Sequence, residues 1–167
     1  RFIRYFVNRF KCEDVIVGWD LGNEPIHMPG VDNKHYDAFY VWCSAISYAI
    51  KSCDQTRPVI SGLDNSAVEN GHSNLKTIGE MCDIHTTHPY NIFCTNADPI
   101  NTMKPILDLP FKCKLSEDVS GVPTFVQEFG SLGYMNCSKK SEAAFYRASL
   151  FSSLAHGCHG TMWWCAF

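Results

Sequence analysis

The chain has 167 residues, of which 46% are apolar and 19% are charged, and its formal net charge is −3. This length and composition are typical of a single globular domain with a sizeable core. The small acidic excess gives no electrostatic reason to expect a nucleic acid or a membrane surface as a partner. No apolar run approaches the roughly 18 residues of a membrane-spanning helix.

The N-terminal half alternates helical and strand patterns. Residues 1–12 predict an amphipathic helix, and Val15 to Leu21 predict a buried strand. Apolar residues then recur at helical spacing from Tyr36 to Ser52. A second short strand is predicted in Arg57 to Gly62, and a short helix is predicted near Leu75.

The middle of the chain contains a third strand and a polar segment. Cys82 to Tyr90 predict a buried strand and its exit. Asn91 to Ser120 are rich in proline and polar residues, which favours a loop with one short helix at Pro105 to Leu107. Val122 to Gly130 predict the fourth strand.

The C-terminal part predicts one more helix and one more strand. The helix is expected over Ser141 to Ala155, with Ser141 as its N-cap, Glu142 in its first turn and Gly157 just past its end. Gly160 to Phe167 predict the fifth strand.

Five buried strands alternating with helices predict an α/β fold with a parallel sheet. An open doubly wound sheet that binds nucleotides should show a glycine-rich phosphate loop, and neither G-x-G-x-x-G nor a P-loop occurs. A (β/α)₈ barrel instead places polar residues that can take part in catalysis at the C-terminal ends of successive strands, as this sequence does. The barrel is therefore the favoured fold, with residues 1–167 as a single domain.

The strand exits carry two carboxylates. Glu24 follows the first strand in Asn-Glu-Pro, and Glu128 closes the fourth strand. A parallel barrel aims both into one cavity, where two carboxyl groups are the minimal equipment for cleaving a glycosidic bond. Asp20 shares the strand parity of Glu24, so we expect it to line the barrel interior.

The motifs resemble those of known enzymes. "WDLGNEP", followed by "HPY", "VPTFVQEFG" and "MWW", resembles clan A of the glycoside hydrolases, and especially family 5 and its cellulase, β-mannanase and β-mannosidase relatives. The resemblance implies that Glu24 is the general acid/base and that Glu128 is the nucleophile of a retaining double displacement.

The same resemblance implies residues that bind the sugar. Asn23 would contact its 2-hydroxyl group, and His88 and Tyr90 would match a His-x-Tyr motif in which the tyrosine lies near the nucleophile. Either Trp163 or Trp164, with a preference for Trp164, would form the floor of the reacting-sugar subsite.

The likeness covers nearly the whole chain but only strands four to eight of the barrel. The sequence starts without an initiator Met, and no arginine corresponds to the one that clan members carry near the second strand. We therefore expect the C-terminal part of a larger catalytic barrel, and we expect this part alone to be inactive.

The expected function is hydrolysis of β-linked bonds in an oligo- or polysaccharide, with no metal and no cofactor. Two alternatives stay open: a metal-dependent barrel hydrolase that uses Glu24, His88 and Glu128 as ligands, and a truncated, inactive barrel that only binds glycans. His85 and His88 are three positions apart on a strand and should face opposite sides. The sugar, the linkage and endo or exo action are left open by the sequence.

Cysteine usage bears on the compartment only weakly. The chain has nine cysteines and no C-x-x-C pair, so zinc-ribbon spacing is missing. Several cysteines lie inside apolar patterns, where the thiol behaves as a small hydrophobe. We expect most to be free thiols, which favours a reducing compartment but does not exclude secretion.

Overall fold

The computed structural model describes residues 1–29, 31, 36–66, 74–93, 97–131 and 137–165. Within these ranges the helices are α1 (Phe2–Phe10), α2 (Tyr36–Lys51), α3 (Leu75–Gly79), α4 (Met103–Ser120) and α5 (Lys139–Ala155). The strands are β1 (Trp19–Asp20), β2 (Val59–Ile60), β3 (His85–Thr87), β4 (Thr124–Phe129) and β5 (Thr161–Trp163). Short 3₁₀ turns cover Pro25–His27 and Asn91–Phe93.

The described strands are parallel and neighbour one another in chain order. β1 pairs with β2, and β4 lies between β3 and β5. A parallel bridge between Ile60 and Ile84 connects β2 to the segment that enters β3. Parallel neighbours in chain order, with helices between them, form part of a β/α barrel wall, whereas a doubly wound sheet reverses its strand order. The predicted α/β fold with parallel strands is confirmed.

The core lies between the strands and the helices. One apolar cluster joins α1, α2, β1 and β2 through buried residues that include Val7, Phe39 and Val59. A second joins α4, α5 and β4 and includes Leu109, Val126 and Phe145. Burial of these side chains provides the main driving force that holds the helices on the strands.

The first strand is shorter than its sequence predicts. The prediction covered Val15 to Leu21, but Val15 is 87% exposed and only two residues pair as β1. The guanidinium group of Arg57 donates hydrogen bonds to the carbonyl groups of Glu13 and Ile16. These carbonyl groups are therefore unavailable to a neighbouring strand, and the chain turns before it enters the sheet.

The prediction that residues 91–120 are mostly loop is wrong. Residues 103–120 form the 18-residue helix α4, which contains Pro110 in its interior. Pro105 lies in the first turn, where a missing N–H costs little, whereas Pro110 removes one internal hydrogen bond. The buried side chains of Leu109, Cys113 and Ser116 recur at helical spacing, so packing against the strands outweighs the proline.

The last helix begins earlier than its sequence predicts. Its N-cap is Ser138, not Ser141, because the Ser138 side chain accepts a hydrogen bond from the Ser141 backbone N–H. Glu142 lies in the first turn as expected. Gly157 follows the helix with φ +77°, a left-handed conformation that glycine adopts without strain.

No helix in the described part of the chain is long and apolar enough to cross a membrane. Among the cysteines in the described ranges, seven are free thiols: Cys12, Cys43, Cys53, Cys82, Cys113, Cys137 and Cys158.

A buried ion pair ties β1 to the turn before β2. Asp54 accepts hydrogen bonds from the Trp19 indole at 2.9 Å and from Arg57 at 3.0 Å, and Thr56 donates two more. Burial raises the pKa of Asp54, but the hydrogen bonds from Thr56, Trp19 and Arg57 lower it by more than burial raises it. The pKa of Asp54 therefore lies below its usual range. Asp54 therefore remains a carboxylate in the folded protein.

We predict that Asp54→Asn lowers the free energy of unfolding by about 2–4 kcal/mol, because Arg57 loses its buried partner. The matched control Asp98→Asn breaks the exposed pair with Lys104 and should cost less than about 1 kcal/mol. Because the folded-state pKa is depressed, the contribution of Asp54 is full above about pH 4 to 5 and shrinks as the pH falls below that range. Urea titrations of the three proteins from pH 3 to 7 measure this, and equal losses in the two variants would contradict it.

Candidate active site

The carboxyl ends of the strands open into one cavity of about 540 Å³. Its lining combines carboxylates, amides and hydroxyl groups with aromatic and imidazole rings. The lining residues are Asn23, Glu24, His27, Asp64, Asn65, Ser66, His88, Tyr90, Phe93, Glu128 and Trp164. Six of the seven site residues that were predicted from the sequence therefore line this cavity, and Trp163 is the exception.

Glu24 is held in place by a strained backbone. Its φ of 46° and ψ of 53° are left-handed, and its backbone N–H donates to the Gly62 carbonyl group at 2.8 Å. A left-handed conformation at a non-glycine residue costs about 1–3 kcal/mol and is concentrated at functional sites. The turn directs the Glu24 side chain to the cavity, where the side chain is 31% exposed.

Tyr90 holds Glu128. The tyrosine hydroxyl donates to Glu128 Oε2 at 3.0 Å, and Tyr90 is only 6% exposed. Burial, together with the hydrogen bond to Glu128 and the charge of that residue, raises the pKa of Tyr90 above its usual range. The hydroxyl therefore keeps its proton and acts as a donor to the carboxylate. The Trp164 ring meets the Tyr90 ring edge-on at 6.3 Å.

An irregularity in β4 brings Gln127 and Glu128 to the site together. Val126 pairs with Thr161 and Phe129 with Trp163, so three residue steps on β4 match two on β5. Such a bulge disturbs the strict alternation of side chains along a strand and can redirect one of them. Gln127 consequently contacts His88 while its neighbour Glu128 contacts Tyr90.

His88 lies between the two halves of the site. It is 2% exposed, its Nδ1 is 2.8 Å from Glu24 Oε1, and its Nε2 is 3.0 Å from Gln127 Oε1. Burial lowers the pKa of His88, but the hydrogen bonds to Glu24 and Gln127 and the charges of Glu128 and Glu24 give a net upward shift. The surroundings of His88 therefore favour a proton close to Glu24.

The two carboxylates are close together. Glu24, His88 and Glu128 each place one potential ligand atom within 4.8 Å of the other two, so a carboxylate oxygen of Glu24 lies within 4.8 Å of one of Glu128. Both carboxyl groups therefore face the same small volume of the cavity beside His88.

The two predicted tryptophans point in different directions. Trp164 lines the cavity and is 46% exposed. Trp163 packs against Phe129 at 5.2 Å and Tyr146 at 5.1 Å, on the side of α5. The inclusion of Trp163 among the substrate-binding residues is therefore corrected: its ring fills the space between the sheet and the helix.

His85 and His88 separate as their spacing predicts. His85 is fully buried and its Nε2 lies 3.2 Å from the Leu75 carbonyl oxygen, so it contacts α3 instead of the cavity. Burial lowers the pKa of His85, which keeps this imidazole neutral.

The sequence pattern missed a second pair at the cavity. His27 Nε2 lies 2.8 Å from Asp64 Oδ2, and Asp64 Oδ1 also accepts from the Ser66 backbone N–H and hydroxyl group. Asp64 follows β2, and this position after a strand could have predicted that its side chain lies at the cavity. His27 carried no such signal, because only the 3₁₀ turn after Glu24 brings it to the cavity.

Neither a protein-family model nor a curated protein matches the sequence. Solved structures do match. An exo-β-1,4-mannosidase from Opitutaceae bacterium strain TAV5 is 24% identical with a TM-score of 0.76, and the match covers 98% of this chain and 31% of that one. An endo-β-1,4-mannanase from Thermotoga petrophila is 20% identical with a TM-score of 0.75, covering 98% and 39% of the two chains.

A third similar structure is GH5_18 from Streptomyces cattleya in complex with GlcNAc, at 14% identity and a TM-score of 0.80, covering 98% of this chain and 42% of that one. The chain thus spans well under half the length of these three structures. The resemblance to family 5-like glycoside hydrolases of clan A is confirmed as a shared fold.

We predict that Gly62→Ala destabilises the protein by at least about 2 kcal/mol, because it combines backbone strain with overpacking. Gly62 has φ +65°, and a Cβ there would lie 2.0 Å from the Gly22 carbonyl oxygen. The matched control Gly157→Ala shares the positive φ but meets nothing within 4 Å, so it should cost only about 1–2 kcal/mol. Thermal unfolding of both variants measures the difference, and a Gly62→Ala protein as stable as the control would refute the close contact.

Proposed function

We propose that this chain is the part of a retaining β-glycoside hydrolase barrel that contains strands four to eight and both catalytic carboxylates. The substrate class is a β-linked oligo- or polysaccharide. The single observation that carries the proposal is the approach of Glu24 and Glu128 across the cavity, with carboxylate oxygens within 4.8 Å. Retaining enzymes keep their two carboxyl groups about 5–5.5 Å apart, whereas inverting enzymes separate them by about 6.5–9.5 Å to admit a water molecule.

Glu128 is the proposed nucleophile. Its carboxylate accepts a hydrogen bond from Tyr90, which leaves the other oxygen available to attack the anomeric carbon. The tyrosine also orients the carboxylate, so little motion is needed before attack.

Glu24 is the proposed general acid/base. In the first step it gives a proton to the departing glycosidic oxygen, and in the second step it takes a proton from the water that releases the sugar. The hydrogen bond to buried His88 positions the carboxyl group for both transfers.

The rest of the cavity suits a pyranose ring. The amide of Asn23, beside the acid/base, is placed to hydrogen-bond a sugar hydroxyl group, and the half-exposed indole of Trp164 offers a flat apolar face. Because two of the similar structures are named as a β-1,4-mannosidase and a β-1,4-mannanase, β-1,4-mannosides are the first substrates to test. The tests use the protein in its full natural length, since the similar structures are much longer than this chain.

We predict that Glu128→Gln lowers kcat/KM on every hydrolysed glycoside by about 10⁴-fold or more, because no covalent intermediate can form. Glu24→Gln should lower kcat/KM by about 10²–10⁴-fold on natural glycans but much less on an activated aryl glycoside, whose leaving group needs no proton. Initial rates on mannobiose and on 2,4-dinitrophenyl β-mannoside measure the two losses.

The matched control for both variants is Glu13→Gln, an exposed residue before β1 that should retain full activity. If neither glycoside class is hydrolysed by the full-length protein but oligosaccharides bind, the alternative of an inactive glycan-binding barrel is supported. Equal losses on both substrates in Glu24→Gln would contradict the acid/base role.

A metal-dependent hydrolase is the second candidate, because Glu24, His88 and Glu128 are close enough to share an ion. Both ring nitrogens of His88 already make hydrogen bonds, to Glu24 and to Gln127, and a metal would have to replace one of them. The geometry therefore favours acid/base chemistry.

We predict that extensive dialysis against EDTA leaves kcat/KM unchanged within about twofold, and that added Zn²⁺ or Mn²⁺ does not raise it. Metal content by mass spectrometry, measured alongside the rate, checks this. Activity that disappears on dialysis and returns with one stoichiometric ion would establish the metal-dependent alternative.

A further inference from the structure

A row of four polar side chains runs from solvent to the proposed acid/base. Asp20, at the end of β1, is exposed, and its Oδ2 lies 2.5 Å from Gln127 Nε2. Gln127 Oε1 lies 3.0 Å from His88 Nε2, and His88 Nδ1 lies 2.8 Å from Glu24 Oε1. Neither Asp20 nor Gln127 lines the cavity, so neither is placed to touch a substrate.

Asp20 is the first group in the row, and its carboxylate determines the direction of every hydrogen bond that follows. A carboxylate only accepts hydrogen bonds, so Gln127 must turn its NH₂ group toward Asp20. Its carbonyl oxygen then faces His88, and because that oxygen also only accepts, His88 Nε2 must carry a hydrogen.

The direction of the hydrogen bonds in this row therefore determines whether His88 Nδ1 carries a hydrogen. A neutral imidazole carries one hydrogen, so Nδ1 presents a lone pair to Glu24 and the hydrogen between them must come from the glutamic acid. If the hydrogen moves onto Nδ1, an imidazolium faces a carboxylate. In both cases Glu24 and His88 share a single proton, which cannot be assigned to one of the two residues alone.

We propose that Asp20 and Gln127 are positioning residues that hold His88 with a hydrogen on Nε2, so that the His88–Glu24 pair retains the proton needed by the departing sugar. The inference rests on the proposed function for its catalytic meaning, but the hydrogen-bond direction stands without it. The opposite tautomer would donate from Nδ1 to a Glu24 carboxylate and would favour the unprotonated acid.

Both proposed steps benefit from this arrangement. Before the first step the row keeps a proton on the pair. After Glu24 has given the proton away, its carboxylate faces the Nδ1 lone pair of a neutral imidazole, which is an unfavourable contact. Glu24 is then a stronger base toward water in the second step.

The surrounding charged groups act on the same pair. Glu128 on β4 and Tyr90 after β3 face it across the cavity, and His27 and Asp64 form their own pair at its edge. The pKa of His88 is lowered by burial and raised by its hydrogen bonds to Glu24 and Gln127 and by the charges of Glu128 and Glu24, with a net upward shift. None of these groups is substituted in the variants below.

Asp20→Asn should reverse the row. Asp20 Oδ1 accepts from the Gly22 backbone N–H at 2.8 Å, which will keep the carbonyl oxygen of the introduced amide at Gly22 and turn the NH₂ group of that amide toward Gln127. Gln127 must then present its oxygen to this NH₂ group and its own NH₂ group to His88. His88 Nε2 becomes the acceptor, and the hydrogen moves to Nδ1.

The first measurement is the pH dependence of kcat/KM in the full-length protein. Asp20→Asn and Gln127→Met should both move the basic limb to lower pH by about one unit, because Glu24 loses its proton more easily. The matched control Asp14→Asn, an exposed residue ahead of β1, removes the same charge and should leave the limb unchanged. A basic limb that does not move in Asp20→Asn would overturn the proposal.

The second measurement reads the tautomer without any turnover. In ¹⁵N-labelled protein, long-range ¹H–¹⁵N correlation spectra should show His88 Nε2 as protonated in the wild type and as unprotonated in Asp20→Asn. An unprotonated Nε2 in the wild type, or the same tautomer in both proteins, would refute the inference. Because these spectra need no substrate, absent hydrolysis together with the expected tautomers would reject the proposed function alone.

Discussion

The site depends on one buried histidine. His88 is almost fully removed from solvent, and each of its ring nitrogens has a partner, Glu24 on one side and Gln127 on the other. A buried polar ring without partners would be costly, so the strand ends that supply these partners are coupled through it. The segments that follow β1 and β3 therefore meet the end of β4 at the cavity, where Glu24 and Glu128 lie close together.

Bringing the carboxylates together requires departures from regular backbone geometry. Glu24 takes a left-handed conformation, and β4 contains a bulge beside Glu128. Both features weaken local structure, and the surrounding fold compensates through the Asp54–Arg57 pair beneath β1 and the apolar cluster beneath β4. This division, with strain at the strand exits and stability below them, is typical of barrels whose catalytic face is separate from the stabilising face.

Sequence patterns predicted the parts of this molecule that periodicity and short motifs encode. The parallel α/β order and the cavity positions of Glu24, His88, Tyr90 and Glu128 followed from strand exits. The long helix over residues 103–120 did not, because its prolines signal a loop while its stability comes from burial of Leu109 and Cys113. The contact of Gln127 with His88 was also hidden, since strict alternation along a strand gives no sign of a bulge.

The most direct test of the central claim is the stereochemistry of the first product. ¹H NMR spectra recorded within the first minutes of hydrolysis of an aryl β-glycoside by the full-length protein separate the two anomers before mutarotation mixes them. The closeness of Glu24 and Glu128 predicts that the β-anomer forms first, with retention of configuration. Initial release of the α-anomer would show inversion and would contradict the assignment of Glu128 as a nucleophile paired with Glu24.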